Sequence, residues 1–433
     1  MRNLRNVYLA ETQWQGELPL TATAWDTSSD SLICTFGPSH ETPIIDLRRK
    51  RRDAWLSNRE DTFERIASWD ASCPLPDLPC DSVVSLQHFA DSLTTCLVLE
   101  GGDIVVVREE PFPGQDKIEI MGTVDVGITA AAWSPDEELL AVSSRASTLL
   151  YMTREFEPIA QISLGPDDLS ASHHVSVGWG KRETQFQGKR AKALRDPTVP
   201  EKIDEGKLSG LEDRRTTISW RGDGAYVAIN SVHEDVRRVI RVYSREGVLD
   251  SASEPVDGLE GALSWRPYGN LIAGVQRFDD RVDVVFFERN GLRHGQFSLR
   301  LTEEDRRSWA SSTIQLNWNI DSTILAVRFR ERLQLWTMGN YHYYLKQEIP
   351  IAVKESSLSF AWHPEKPLTF AVGNEGMNPG SVVESLQSVL TFFFFFLSDS
   401  ILEEDYVSDI CHGSTLVRGE IGAVAVIDGS MYS

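Results

Sequence analysis

Catalysis at neutral pH needs a nucleophile with its base, a metal cradle or a phosphate cradle, and each leaves a recognisable spacing. The 433-residue chain contains no G-x-S-x-G, no G-x-x-x-x-G-K-[ST], no H-E-x-x-H and no G-x-G-x-x-G opening a helix. Its nine histidines are scattered, and only His173 and His174 are adjacent. Neighbours in an extended strand point to opposite faces, so these two cannot ligate one metal if that stretch is a strand. The five cysteines (Cys34, Cys73, Cys80, Cys96 and Cys411) include no C-x-x-C pair. Neither a zinc framework nor a disulfide scaffold follows, and a reducing compartment is the simpler reading. The expectation is a chain with no catalytic residue, no metal site and no cofactor, hence not an enzyme.

Two charged segments could serve binding instead. Arg48, Arg49, Lys50, Arg51 and Arg52 stand in a row, the composition of a nuclear-import or phosphate-binding patch or of a solvated loop balanced by Glu60, Asp61 and Glu64. From Lys181 to Arg215 there are ten Lys/Arg against seven Asp/Glu and few large apolar residues. Such a stretch cannot bury enough surface to order itself. It reads as an inserted surface loop, with Lys181, Arg182, Lys189, Arg190, Lys192 and Arg195 as candidate partner contacts.

The whole chain carries a formal charge of −21, and that field opposes wholesale binding to nucleic acid or to an anionic membrane surface. Apolar content of 41% with 25% charged residues is that of a soluble globular protein. The N-terminal residues have no apolar run of signal-peptide type. The long apolar cluster SVLTFFFFFL (388–397) is about half of the ~20 residues a spanning helix needs. No membrane association is expected.

The elements that must carry these segments announce themselves by repetition. Three or four alternating apolar residues end in Trp, a short turn follows, and a second apolar strand begins. The tryptophans are Trp25, Trp133, Trp179, Trp220, Trp265, Trp318 and Trp362, and from Trp133 onward the steps are 46, 41, 45, 53 and 44 residues. The stretch 83–99 fills the wide gap after Trp25 as a unit without Trp. A period near ~40–45 residues with four short strands per unit is the signature of a β-propeller. Trp133, Trp220, Trp265, Trp318 and Trp362 are its structural markers. Arg221-Gly222-Asp223 spells an adhesion tripeptide, yet it occupies the turn that Ser-Pro-Asp holds in another unit, so turn chemistry accounts for it.

The unit of Trp133 is complete by about Leu164, so Trp179 is read as part of an extension rather than as an eighth blade. Starts near 22, 84, 130, 217, 262, 314 and 358 make a seven-bladed WD40-like propeller, all-β, with its last blade incomplete or irregular. The segment LRNVYL (4–9) is available to close the ring on that blade.

GWGKRETQFQGK (178–189) resembles the G-W-G-K-[KR]-E-T-Q-F-x-G signature in the first propeller of the IKAP-like scaffold family, the largest subunits of Elongator. ISWRGDGAYVAINSV, VVFFERNGLRHGQF, LQLWTMGNYHYYLKQEI and FAWHPEKPL resemble that family as well, and the likeness runs from residue 1 to about 372. The resemblance implies a first propeller of a non-catalytic scaffold, acting in tRNA wobble-uridine modification from the cytoplasm and also the nucleus. It implies contacts with the other Elongator subunits, including the catalytic acetyltransferase/radical subunit, and with tRNA only through the complex. The family's dimerisation region would lie outside this chain.

The likeness fails over 373–422, which includes Phe392–Phe396, and resumes in AVAVIDG (423–429) as a residual strand of the last blade within 423–433. A run of Phe is what a pyrimidine-rich stretch of DNA encodes, so part of 373–410 reads as translated intron and the segment as irregular or disordered. Its rival is an exposed hydrophobic docking segment. For function, the alternatives are a generic WD-repeat adaptor and a propeller enzyme with a site in the central channel.

Overall fold

Alternating apolar runs of four to ten residues, cut by Gly, Pro and Asp turns, form strands because each buries one or both faces without lateral room for a helix. A computed structural model of the chain describes residues 5–14, 18–50, 63–165, 204–302, 313–329, 332–339, 342–350, 359–376 and 389–398. It holds twenty-eight strands in seven four-stranded antiparallel sheets.

Strand β1 (Arg5–Trp14) comes first in the chain but belongs to the last sheet. The first sheet is β2 (Leu20–Asp26), β3 (Ser31–Phe36), β4 (Ile44–Lys50) and β5 (Phe63–Asp70). The second is β6 (Val83–Phe89), β7 (Thr94–Leu99), β8 (Asp103–Arg108) and β9 (Ile118–Thr123). The third is β10 (Ile128–Trp133), β11 (Leu139–Ser144), β12 (Thr148–Thr153) and β13 (Pro158–Ser163). The fourth is β14 (Thr217–Trp220), β15 (Tyr226–His233), β16 (Arg237–Ser244) and β17 (Leu249–Ala252). The fifth is β18 (Leu259–Trp265), β19 (Leu271–Arg277), β20 (Val282–Glu288) and β21 (Arg293–Ser298). The sixth is β22 (Ile314–Trp318), β23 (Ile324–Phe329), β24 (Arg332–Gly339) and β25 (His342–Pro350).

The seventh sheet is the irregular one. It takes β26 (Ser359–Trp362), β27 (Thr369–Gly376) and β28 (Val389–Ser398) from the end of the chain and β1 from the beginning. Arg5 pairs with Ser398 and Trp14 with Leu390, so the N-terminal strand does close the ring. Within 373–422, read as irregular, the strand β28 carries the five phenylalanines and pairs on both sides, with β27 and with β1. The tail therefore supplies one whole strand to this sheet. AVAVIDG and the rest of 399–433 lie outside the described residues.

First strands of successive sheets adjoin one another, and β2 meets β26 to complete the circle. Seven apolar clusters lie one at each interface between neighbouring sheets. Phe89, Val98, Ile128 and Val142 join the second and third, and Leu149, Tyr151, Trp220 and Val227 join the third and fourth. Trp25, Phe36 and Phe63 meet Ala371 between the first and seventh. The second strands are buried on both faces, as in Ser31–Phe36 and Ile324–Phe329, which is why they read as unbroken apolar runs. The third and fourth sheets pack directly against each other.

Candidate functional site

The marker tryptophans close the first strands: Trp133 ends β10, Trp220 ends β14, Trp265 ends β18, Trp318 ends β22 and Trp362 ends β26. The indoles of three repeat tryptophans tie their sheets to the one before. The indole N–H of Trp220 donates to the Ala132 carbonyl at 3.0 Å, that of Trp362 to Asn317 at 3.0 Å, and that of Trp25 to Ala361 at 3.3 Å. In every case the acceptor immediately precedes the Trp of the preceding sheet. Where that position is Ser, the hydroxyl accepts the next Trp's backbone N–H instead: Ser219 from Trp265 at 2.8 Å and Ser264 from Trp318 at 3.1 Å. Trp265 then turns its indole to Gly269 in its own turn. In the unit without Trp, Phe89 takes the place, edge-on to Trp133 at 4.9 Å.

The basic run does not form a free patch. Arg48 pairs with Asp46 at 2.7 Å, and Arg49 bridges Asp26 and Glu109 at 3.0 and 2.7 Å, joining the first sheet to the second. Lys50 is fully buried over the Phe63 ring. Arg51 and Arg52 lie outside the described residues. Three of the five cations are therefore spent inside the fold, which corrects the reading of 48–52 as a surface segment.

Arg49 faces a small buried polar group. Burial pushes the Asp26 carboxyl up, but hydrogen bonds from Ser28 and Ser29 and the charges of His88 and Arg49 outweigh it and hold Asp26 below the usual range. Burial drives His88 down to about 4, against the pull of Asp26. A neutral His88 accordingly shares a 2.9 Å hydrogen bond with Thr95. The group seals an interface and offers no opening to a substrate.

Lys181, Arg182, Lys189, Arg190, Lys192 and Arg195 lie outside the described residues, as do Trp179, His173 and His174. The last part of the inserted stretch, 204–215, is described and anchored, which corrects the expectation of a self-disordered stretch for these residues; 181–203 lie outside the described residues. One Asp257 oxygen accepts the amides of Glu205, Gly206 and Lys207 at 2.9, 2.8 and 3.0 Å. Asp204 pairs with Arg293 at 3.2 Å on the outer strand of the fifth sheet. Ser209 donates to Glu260 at 3.1 Å. Arg238, fully buried on β16, donates to Glu212 at 2.8 Å, to the Arg215 carbonyl at 2.8 Å and to Asp213 at 3.1 Å. The chain thus re-enters as a strap over the fifth sheet and reaches β14 by way of the fourth. Sequence reasoning missed it because its partners come from strands yet to follow, and no composition signal marks them.

Arg221 and Asp223 bind each other through two hydrogen bonds of 2.8 and 2.6 Å, and Gly222 donates to the Pro267 carbonyl at 3.1 Å. The tripeptide serves as a turn docked on its neighbour. Burial pushes the Cys96 thiol up to about 12 and that of Cys34 up as well, so neither is reactive. Among the described residues no group of three or more His, Cys, Asp or Glu could hold a metal ion. No helix among them is long and apolar enough to cross a membrane. The described residues form a closed ring of seven sheets with exposed turns and rims.

A family profile described as the ELP1 first N-terminal beta-propeller matches residues 1–365. The chain is 43% identical over 358 residues to Elongator complex protein 1 of Schizosaccharomyces pombe, covering 82% of this chain and 27% of that protein. It is 41% identical over 394 residues to the Saccharomyces cerevisiae protein of the same name, covering 82% and 28%. For the mouse protein the figures are 38% over 307 residues, 68% and 22%. The chain spans about 27% of the length of the first of these relatives. A solved chain in the "Crystal Structure of Mitotic Checkpoint Complex" superposes with a TM-score of 0.52 at 12% identity, covering 92% of this chain and 93% of that one. That likeness concerns the fold alone.

Proposed function

The chain belongs to the ELP1 first N-terminal beta-propeller family, and from that premise we propose that it is a non-catalytic scaffold of the Elongator complex, serving tRNA wobble-uridine modification through protein–protein contacts. The observation that carries this reading is the family match from residue 1 to 365, which takes in six sheets and reaches the seventh. A closed ring leaves its exposed turns and rims as its means of contact. Its partners are the other Elongator subunits, among them the catalytic acetyltransferase/radical subunit, and tRNA is reached only through the complex. The inserted stretch is the proposed contact, with Lys181, Arg182, Lys189, Arg190, Lys192 and Arg195 as its cations. It works in the cytoplasm and also the nucleus.

The test is affinity purification of the tagged full chain from cells, followed by identification of what co-purifies. Recovery of the Elongator subunits is the expected result. Their absence, with trafficking or ubiquitin-transfer proteins in their place, overturns it in favour of a generic adaptor.

A further inference from the structure

The rim of the second sheet differs from the others. Its outer strand β9 pairs with β8 on one side and has no strand on the other. Of the ten exposed large apolar residues among the described ones, three fall within 112–126, in and beside this strand. Phe112 is 74% exposed at one end, Ile120 is 59% exposed in the strand, and Val126 is 48% exposed just beyond it. Scattered single apolar residues need no explanation, whereas three so exposed in and beside one open edge strand do.

Phe112 is also held in place. It sits between Pro111 and Pro113, the Gln115 amide donates to its carbonyl at 2.9 Å, and Arg108 donates to the Asp116 carbonyl at 3.2 Å. A turn whose backbone is fixed before binding loses less entropy on docking. The surrounding charge is acidic on balance, with Lys117 as an exposed cation among the acids. Glu110, Asp116 and Asp125 are exposed and make no ion pair among the described residues, while Arg108 is tied to Glu119 at 2.7 Å.

We propose that the β9 edge is a docking site for an extended protein segment in which apolar residues alternate with Lys or Arg. Backbone groups of the segment add to the open edge, its apolar side chains meet Phe112, Ile120 and Val126, and its cations meet the three carboxylates. A second copy of this chain would bring the same acidic rim against itself, and like charges face each other unfavourably there. The inference stands on this rim alone and does not depend on the family reading.

The experiment uses the full chain and three fluorescent ten-residue peptides read by anisotropy. One alternates Val with Lys, one alternates Val with Glu, and one is the Val/Lys peptide with alternate backbone nitrogens methylated. The Val/Lys peptide should bind, and both others should bind at least about tenfold more weakly, the equivalent of ~1.4 kcal/mol. Ile120→Lys and Phe112→Ser, surface changes that leave the fold intact by circular dichroism, should each weaken it by a similar factor. Ile159→Lys on β13 should leave it unchanged. Binding indifferent to N-methylation or to Ile120→Lys overturns strand addition at this edge. An equal loss with Ile159→Lys overturns its location, and a dimer in sedimentation that Ile120→Lys abolishes overturns the choice of occupant.

Discussion

His363 and Asp30, 333 residues apart in sequence, share a 3.0 Å hydrogen bond across the seam between the seventh sheet and the first. The amides of Glu365 and Lys366 both donate to Nδ1 of His363, at 3.1 and 3.0 Å. Nδ1 is therefore the bare nitrogen, and Nε2 carries the proton given to Asp30. Lys366 holds the other Asp30 oxygen at 2.6 Å, and the Trp25 ring lies 4.7 Å from the imidazole. His363→Phe keeps a ring but removes the acceptor of two amides and the donor to Asp30, and should lower unfolding free energy by about 1–3 kcal/mol. Asp30→Asn, which keeps an acceptor, should cost less. Urea titrations of both variants check the order.

Trp220→Phe removes the donor to the half-buried Ala132 carbonyl, whereas Trp265→Phe releases only the carbonyl of Gly269 in an exposed turn. The volume change is the same, so the difference isolates the hydrogen bond between sheets. Trp220→Phe should be the more destabilising by about 1 kcal/mol, and Trp220→Ala should cost about 3–5 kcal/mol. Equal melting shifts for the two Phe variants would remove the indole bond from the account.

Arg238→Met leaves Glu212 and the Arg215 carbonyl without their buried donor. Loss of one partner of a buried ion pair costs about 3–5 kcal/mol. The strap should loosen before the ring does, so brief proteolysis should cut within 204–215 in the variant and spare the parent protein. Cleavage patterns that match between the two would contradict the anchoring role.

Burial raises the Asp81 carboxyl to about 6, although the Gly101 amide donates to it at 2.6 Å. A carboxyl raised by folding favours the native state below its unfolded value near ~3.9, and that favour is lost as pH rises through about 6. His88 runs the other way. Lowered by burial to about 4, it supports the native state above its unfolded value near ~6.5 and withdraws that support as pH falls toward 4. Asp81→Asn keeps the acceptor for Gly101 and removes the charge. It should gain stability over the parent at pH 8 and lose that advantage near pH 4, in urea titrations at both values.

A Cβ on Gly222 would lie 2.6 Å from the Pro267 carbonyl oxygen and 2.9 Å from its Cα, both backbone atoms of the next sheet's turn. Gly222→Ala should therefore push two turns apart and cost about 1–3 kcal/mol. Gly114→Ala, whose added carbon meets nothing within 4 Å but whose φ is +92°, separates backbone strain from contact. A thermal melt of each shows which matters.

The ring was legible because its signals are local. Alternation, Trp and turn residues fall within a dozen positions of one another, and starts expected near 22, 84, 130, 217, 262, 314 and 358 are observed at 20, 83, 128, 217, 259, 314 and 359. Phe89 could have been seen as the missing marker, since an aromatic stands in HFADSL where Trp stands elsewhere. The buried pairs were not legible. Arg49 meets Glu109 60 residues away, and Glu212 meets Arg238 on a strand not yet formed, so no window of sequence contains both partners. A row of five cations looks like a patch until strand register sends neighbours to opposite faces, Arg48 and Arg49 to acids and Lys50 to a ring.

Because the first strand of the chain is stitched to the last one described, the ring cannot close during synthesis until residues 389–398 have emerged. At ordinary translation speeds β1 waits roughly 20–80 s for β28. Through that interval six blades can stack in order, each on the one before, while the opening strand remains a loose thread with both edges unpaired. Folding of this domain is thus timed by its final stitch, and whatever occupies β1 in the meantime competes with the chain's own end.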